Sequence, residues 1–218
     1  MIMYIYSIFP SVDGEVNGFS QGALTTFIRF SGCNLHCKWC DTHYALKKES
    51  GKDLPLIEIM EKVESIGLKK VTITGGEPLL QLEGFLELTR ALFQGDYAVT
   101  VETNGSFPCN GYGVQSWVVD YKLPSSGCED KMTTHAFEKL REQDFVKFII
   151  ETEDDFEQAV MVQRAFQDRL KLLCKFAYSP CFGKLDPNTL IHWLLKEKAP
   201  NTILNLQLHK FCDLKEPN

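Results

Sequence analysis

The chain has 218 residues, a formal net charge of −6, and 44% hydrophobic against 24% charged residues, a balance that suits one globular domain and excludes a disordered or collagen-like chain. The acidic balance, with basic residues scattered, argues against a broad nucleic-acid surface and makes a small molecule the default partner. No apolar run reaches membrane-spanning length, and the opening MIMYIYSIFPSVDGEV has no basic flank, so neither a span nor a signal peptide is expected and the expected location is cytoplasmic.

Apolar, β-rich runs predict strands over 25–30, 71–74, 98–103, 117–121, 144–150, 171–176 and 203–208. Helical patterns lie between them, from Pro55 to Gly67 with proline in the first turn and glycine at the end, and over 83–94, 133–142, 154–168 and 187–198. Strands alternating with helices predict a mostly parallel sheet. Asn104 to Gln115 holds three glycines and a proline but no helical period, so one crossover lacks its helix. The expected fold is therefore α/β, an incomplete TIM-like barrel with reduced helix content. No repeat or linker interrupts it, so residues 1–218 read as a single domain.

The unusual polar residues fall at the carboxyl ends of these strands, where parallel α/β sheets build their active sites. The cysteine loop follows the first, Gly75-Gly76-Glu77-Pro78 the second, Glu102-Thr103-Asn104 the third, and Lys122, Ser179 and His209 follow later ones. Three of the eight cysteines crowd into Cys33-Asn34-Leu35-His36-Cys37-Lys38-Trp39-Cys40, while Cys109, Cys128, Cys174, Cys181 and Cys212 are scattered. With nothing to address the chain outside the cell, reduced thiols are expected, and the crowded three read as a ligand set. Thiolates suit iron, and three cysteines leave one iron of a four-iron cluster open. A zinc site with His36 or His43 as fourth ligand, or thiols that merely pack, are the bland alternatives.

The CxxxCxxC loop followed by Gly75-Gly76-Glu77-Pro78 resembles the radical S-adenosylmethionine superfamily. The resemblance implies a 4Fe-4S cluster on Cys33, Cys37 and Cys40 whose open iron binds S-adenosylmethionine and cleaves it to a 5′-deoxyadenosyl radical. It places Gly76 and Glu77 at the cofactor, although an ordinary strand-to-helix turn would also use the two glycines. Trp39 would shield the cluster and flank the adenine, or simply pack in the core.

A narrower likeness covers most of the chain. Ser11-Val12-Asp13-Gly14-Glu15, Arg29, Cys40-Asp41-Thr42, Val119 to Gly127, Val146-Lys147-Phe148 and Gln207-Leu208-His209-Lys210 resemble the 7-carboxy-7-deazaguanine synthase family. This implies a magnesium-dependent lyase that converts 6-carboxy-5,6,7,8-tetrahydropterin to 7-carboxy-7-deazaguanine with loss of ammonia, on the route to queuosine and related deazapurines. It further implies a homodimer and a flavodoxin- or ferredoxin-like electron donor. Thr42 maps to the magnesium ion, where a hard hydroxyl ligand is reasonable, with a local loop hydrogen bond as the alternative. Trp39, Asp41, Gly76, Glu77, Asp120, Tyr121, Lys122, Ser179 and Pro180 map to the cofactor, and Val12, Asp13, Gly14, Glu15, Arg29, Thr74 and His209 to the substrate. Two departures stand out: Asp13-Gly14-Glu15-Val16 replaces Gln-Gly-Glu-Gly, and Asp120-Tyr121-Lys122 replaces Ser-Pro-Lys.

Arg29 can be argued independently, because strand alternation sends Phe27, Arg29 and Ser31 to one face. A guanidinium directed into a barrel needs an anion, either the substrate carboxylate, bound through two parallel hydrogen bonds, or Glu15 or Glu102 in a structural salt bridge. The competing functions are an activase that installs a glycyl radical on a partner protein, which needs an open groove rather than a carboxylate-reading pocket, and a non-enzymatic iron–sulfur electron carrier, which leaves the glycine turn unexplained.

Overall fold

The computed structural model describes residues 2–212. Its strands are β1 (Ile2–Val12), β2 (Leu24–Phe30), β3 (Lys52–Pro55), β4 (Lys70–Gly75), β5 (Ala98–Thr103), β6 (Ser116–Tyr121), β7 (Phe145–Ile150), β8 (Lys175–Pro180) and β9 (Thr202–Leu204), and its α-helices are α1 (Leu56–Ile66), α2 (Leu82–Gln94), α3 (Glu153–Arg169) and α4 (Pro187–Glu197). They form one open sheet in the order β3-β1-β2-β4-β5-β6-β7-β8-β9. From β2 to β9 neighbouring strands are parallel, and β1 pairs antiparallel with both β2 and β3. This is the partial barrel expected. Among the described residues no helix is long and apolar enough to cross a membrane.

Strand alternation divides the sheet into two chemistries. Ile28, Ile73, Val101, Val119, Phe148 and Tyr178 point outward and join Ile59 and Val63 of α1, Phe85 of α2 and Phe156 of α3 in the main core. The opposite parity carries Thr25, Arg29, Thr72, Thr74, Thr100, Glu102, Asp120, Lys147 and Ser179, and most of these are buried. The inner face is thus polar, with one small apolar plug of Val16, Val118, Phe145 and Ala177.

Four expectations shift. β1 and β3 were not anticipated; β1 contains Pro10 and shifts register between Ile5 and Ser7, which blurs its period-2 pattern. The helix expected over 133–142 is a short 3-10 turn at Thr134–Ala136, because Phe137 and Leu140 are buried through successive i to i+3 turns. The strand expected over 171–176 starts four residues later, after Lys171 takes a left-handed φ of 54° beyond the end of α3. The strand expected over 203–208 shortens to β9, because Gln207 is drawn to Glu15 and Leu208 to Gly14.

Residues 13–18 turn under the inner face and form its floor. Gly18 N donates to Ser116 Oγ at 2.8 Å, and Asp13 is ion-paired with Lys70, so the segment is tied to the first residues of β6 and β4. Thr72 Oγ1 donates to Asp13 Oδ1 at 2.7 Å and Asn17 Nδ2 to Asp13 Oδ2 at 3.1 Å. The acid at 13 therefore neutralises a buried lysine, and its side chain is absent from the lining of the cavities above, which leaves only its backbone for the substrate contact the family likeness implies.

The glycine turn is also built by packing. Gly75 has φ 133°, and Gly76 N donates to Phe30 O at 2.9 Å while Glu77 N donates to Gly32 O at 2.8 Å. A Cβ on either glycine would run into the backbone of Phe30 or Gly32, so the turn presses against the root of the cysteine loop. Glu77 is fully buried and its carboxylate accepts from Leu79 N at 2.9 Å, Thr103 Oγ1 at 2.8 Å and Asn104 N at 2.7 Å. Burial pushes its carboxyl up, opposed by those hydrogen bonds. Its three donors are all protein groups, so the Glu77 carboxylate clamps the turn to the end of β5.

Asp13→Ala strands the Lys70 ammonium and is expected to cost about 3–5 kcal/mol in urea unfolding of the cluster-free protein. Glu77→Ala leaves three buried donors unmet and is expected to cost about 3 kcal/mol or more in the same measurement.

Candidate active site

Two cavities open at the carboxyl ends of the parallel strands. The one of about 410 Å³ is lined by Cys33, Cys37, Cys40, Trp39, Gly75, Gly76, Asn104, Asp120 and Lys122. The other, about 780 Å³, is lined by Val12, Gly14, Phe9, Arg29, Tyr44 and His209. Both touch Glu15, Asp41, Thr42, Thr74, Glu102 and Lys210, so they are two chambers of one site.

The cysteine loop is pinned at both ends: Cys33 N donates to Leu46 O at 3.0 Å and Lys38 N to Ser126 O at 3.0 Å. The three thiols are free and half-buried, and Cys33 Sγ accepts from Leu35 N at 3.5 Å and Asn104 Nδ2 at 3.6 Å. Burial raises all three thiols, Cys37 to about 12 with Lys122 opposing, so metal uptake must release protons. Among the described residues no group of three or more His, Cys, Asp or Glu is gathered to hold one metal ion. A zinc ion needs such convergence. A four-iron cube takes each cysteine on a different iron, and three thiols around one chamber with N–H donors aimed at sulfur fit that group.

A buried chain of alternating charge crosses the inner face. Glu15 is ion-paired with Lys147, Lys147 Nζ lies 3.4 Å from Asp120 Oδ1, and Lys122 Nζ lies 3.1 Å from Asp120 Oδ2. Burial opposes the charge on Lys147, but Asp120, Glu15 and Glu102 hold its pKa well above the usual lysine range. Lys122 is raised in the same way by Asp120 and Cys37, and its ammonium stands 5.0 Å above the Trp39 ring. Glu102, between the chambers, is pushed up by burial and by the Glu15 charge, and accepts from Thr74 Oγ1 at 2.8 Å.

In the larger chamber the Arg29 guanidinium lies 5.8 Å from the Phe9 ring and 5.7 Å from the Tyr44 ring, and donates to Thr42 Oγ1 at 3.4 Å. Thr42 in turn donates to Asp41 Oδ1 at 2.9 Å. Burial would raise Asp41, but hydrogen bonds from His209 and Lys210 hold its carboxyl well below the usual range, with Lys210 Nζ at 2.6 Å. The closing segment so latches onto the cysteine loop. His209 also packs on Gly14, where a Cβ would strike its ring.

Of the remaining mapped residues, Tyr121 turns outward onto Phe137, Phe148 and Phe166. Ser179 is buried and accepts from Asn205 Nδ2 at 2.8 Å. Pro180 lines a further cavity of about 340 Å³ with Phe211, which shares Phe182, Lys184 and Gln207 with the thiol chamber. The sequence reading placed Glu102 and Asn104 at the converging strand ends without giving Asn104 a role, and it quoted Lys147 and Gln207 only in the family likeness. A lysine at inward parity in the apolar run FVKFII, and an acid at inward parity in AVTVET, were the available signals. Cys128, whose thiol contacts Cys37, gave none.

The model of the Radical SAM superfamily matches residues 27–110, from β2 through the cysteine loop and β5. The 7-carboxy-7-deazaguanine synthase of Clostridium acetobutylicum is 36% identical over 93% of this chain and 92% of its own length, and that of Leptospira interrogans is 32% identical over 95% and 94%. A crystal structure of QueE from Escherichia coli shares the fold with a TM-score of 0.77 at 21% identity, covering 95% of this chain and 94% of that one. With full-length relatives at this identity and the thiol chamber in place, the chain belongs to the 7-carboxy-7-deazaguanine synthase family of radical SAM enzymes.

Proposed function

We propose that this chain converts 6-carboxy-5,6,7,8-tetrahydropterin to 7-carboxy-7-deazaguanine with loss of ammonia, in the biosynthesis of queuosine or related 7-deazapurines. The observation that carries the reading is the position of Arg29, in the larger chamber, beside Thr42, which lines both chambers. It puts a carboxylate-reading fork next to a hard oxygen ligand, as a carboxylated substrate held partly through Mg²⁺ requires. A protein-activating enzyme would need a groove for a polypeptide loop, whereas this chamber is floored by Gly14 and Glu15 and crossed by the His209–Lys210 segment.

When bound on Cys33, Cys37 and Cys40, the cluster supplies the electron that cleaves S-adenosylmethionine. The chain's own residues bind and orient. Gly76, with no side chain, leaves backbone open to the cofactor, and Asp120 and Lys122 offer one acceptor and one donor on the opposite wall. Trp39 supplies an aromatic face. Arg29 holds the substrate carboxylate, its fork kept in place by the Phe9 and Tyr44 rings. Glu15 accepts from Gln207 Nε2 at 2.8 Å and presents its carboxylate to the amino-pyrimidine edge of the pterin. Thr74 and His209 flank the ring, and Val12 and Gly14 contribute backbone. Thr42 is the protein ligand to Mg²⁺. A homodimer and a flavodoxin- or ferredoxin-like donor complete the reading.

Anaerobically reconstituted protein supplied with S-adenosylmethionine, reductant, Mg²⁺ and the carboxylated tetrahydropterin is expected to form the deazapurine, detected by mass; a loaded cluster that forms none sinks the substrate assignment. Cys40→Ala is expected to abolish both deoxyadenosine and product. Arg29→Ala is expected to spare uncoupled cofactor cleavage and to lower kcat/KM for the pterin about 100-fold, the loss of about 3 kcal/mol for a charged hydrogen-bonded pair.

A further inference from the structure

We infer that Asn104 is a positioning residue for the cluster ligand Cys33, and that its N–H···S hydrogen bond raises the electron affinity of the cluster. The inference rests on the reading that the three cysteines hold a 4Fe-4S cluster.

The orientation of the Asn104 amide follows from its neighbours. Ser106 N, which can only donate, lies 3.0 Å from Asn104 Oδ1, and Ser106 Oγ donates to the same oxygen at 2.6 Å. The oxygen side is thereby assigned, and the Nδ2 side faces the cysteine loop. There it donates to Asn34 Oδ1 at 2.9 Å and to Cys33 Sγ at 3.6 Å. Asn34 Nδ2 closes the ring by donating to Ser106 Oγ at 2.9 Å. The backbone of Asn104 is held independently by Glu77 Oε2, and the residue is only 7% exposed, so little water competes for the amide. Glu77 thus sets where Asn104 stands, and Ser106 and Asn34 set which way it points.

This geometry has an electronic consequence. Reduction places additional negative charge on the cluster and its thiolates, which strengthens any N–H bond to sulfur. A donor fixed before reduction therefore favours the reduced form. Leu35 N supplies a second, backbone donor to the same sulfur at 3.5 Å. Substitution can remove only the Asn104 bond.

The test uses reconstituted holoprotein without S-adenosylmethionine or pterin. Wild-type and Asn104→Leu proteins are compared at equal iron per chain by redox titration, followed through the EPR signal of the reduced cluster. The variant is expected to reduce less readily by roughly tenfold in the one-electron equilibrium, about 59 mV. An unchanged midpoint with a fully loaded cluster overturns the inference and leaves the proposed reaction standing. Should Asn104→Leu fold poorly, wild-type protein labelled with ¹⁵N only in asparagine side chains gives an independent answer. Pulsed EPR of its reduced cluster is expected to show a coupled ¹⁵N, and its absence overturns the inference. A wild-type chain that takes up no iron overturns the cluster reading and this inference together.

Discussion

The inner face of the sheet is held open by charge. Seven parallel strands, β2 and β4 to β9, could collapse onto an apolar interior, yet Glu15, Lys147, Asp120 and Lys122 run as an alternating chain from the floor to the thiol chamber. Each member of this chain has a partner of opposite sign, which is the condition under which buried charges are tolerated. The geometry of both chambers depends on this chain. Removing Lys147 takes the ion-pair partner from Glu15, and removing Asp120 takes it from Lys122, in a region with little water.

The sheet is open, and two irregular segments, one after β1 and one after β9, meet at its inner face. Residues 13–18 close the bottom, and residues 205–210 return to meet them. Val16 N donates to Asn205 Oδ1 at 3.0 Å, Leu208 N to Gly14 O at 2.9 Å, and Gln207 reaches Glu15. The segment then continues to Asp41 through Lys210. Floor, closing segment and cysteine loop are one hydrogen-bonded unit, which couples the larger chamber to the loop that carries the three thiols.

The glycine turn shows how one motif serves two purposes. Gly75 and Gly76 are needed because backbone meets backbone at Phe30 and Gly32, and this contact fixes the root of the cysteine loop. The same bare positions also line the thiol chamber, where the proposed function gives them a second use. Glu77 and Pro78 belong to the first use: the carboxylate locks β5 and, through it, Asn104.

The sequence by itself determined the crowding of three cysteines on one loop and the architecture. Cysteine spacing is a local property, and alternation with helical period is enough to predict a parallel sheet with its chemistry at the carboxyl ends. It also placed Arg29 on the inner face, by parity alone. Tertiary structure decided what each polar side chain does, because a carboxylate or amide can face a ligand or a neighbour with the same local pattern. Asp13 and Glu77 turned to protein partners, Tyr121 to the core and Ser179 to Asn205. Lys147 and Asn104, distant in sequence from the cysteines, came to the site through strand order. Those assignments depend on contacts between residues many positions apart, such as Glu15 with Lys147 at |i−j| of 132, and no local pattern encodes them.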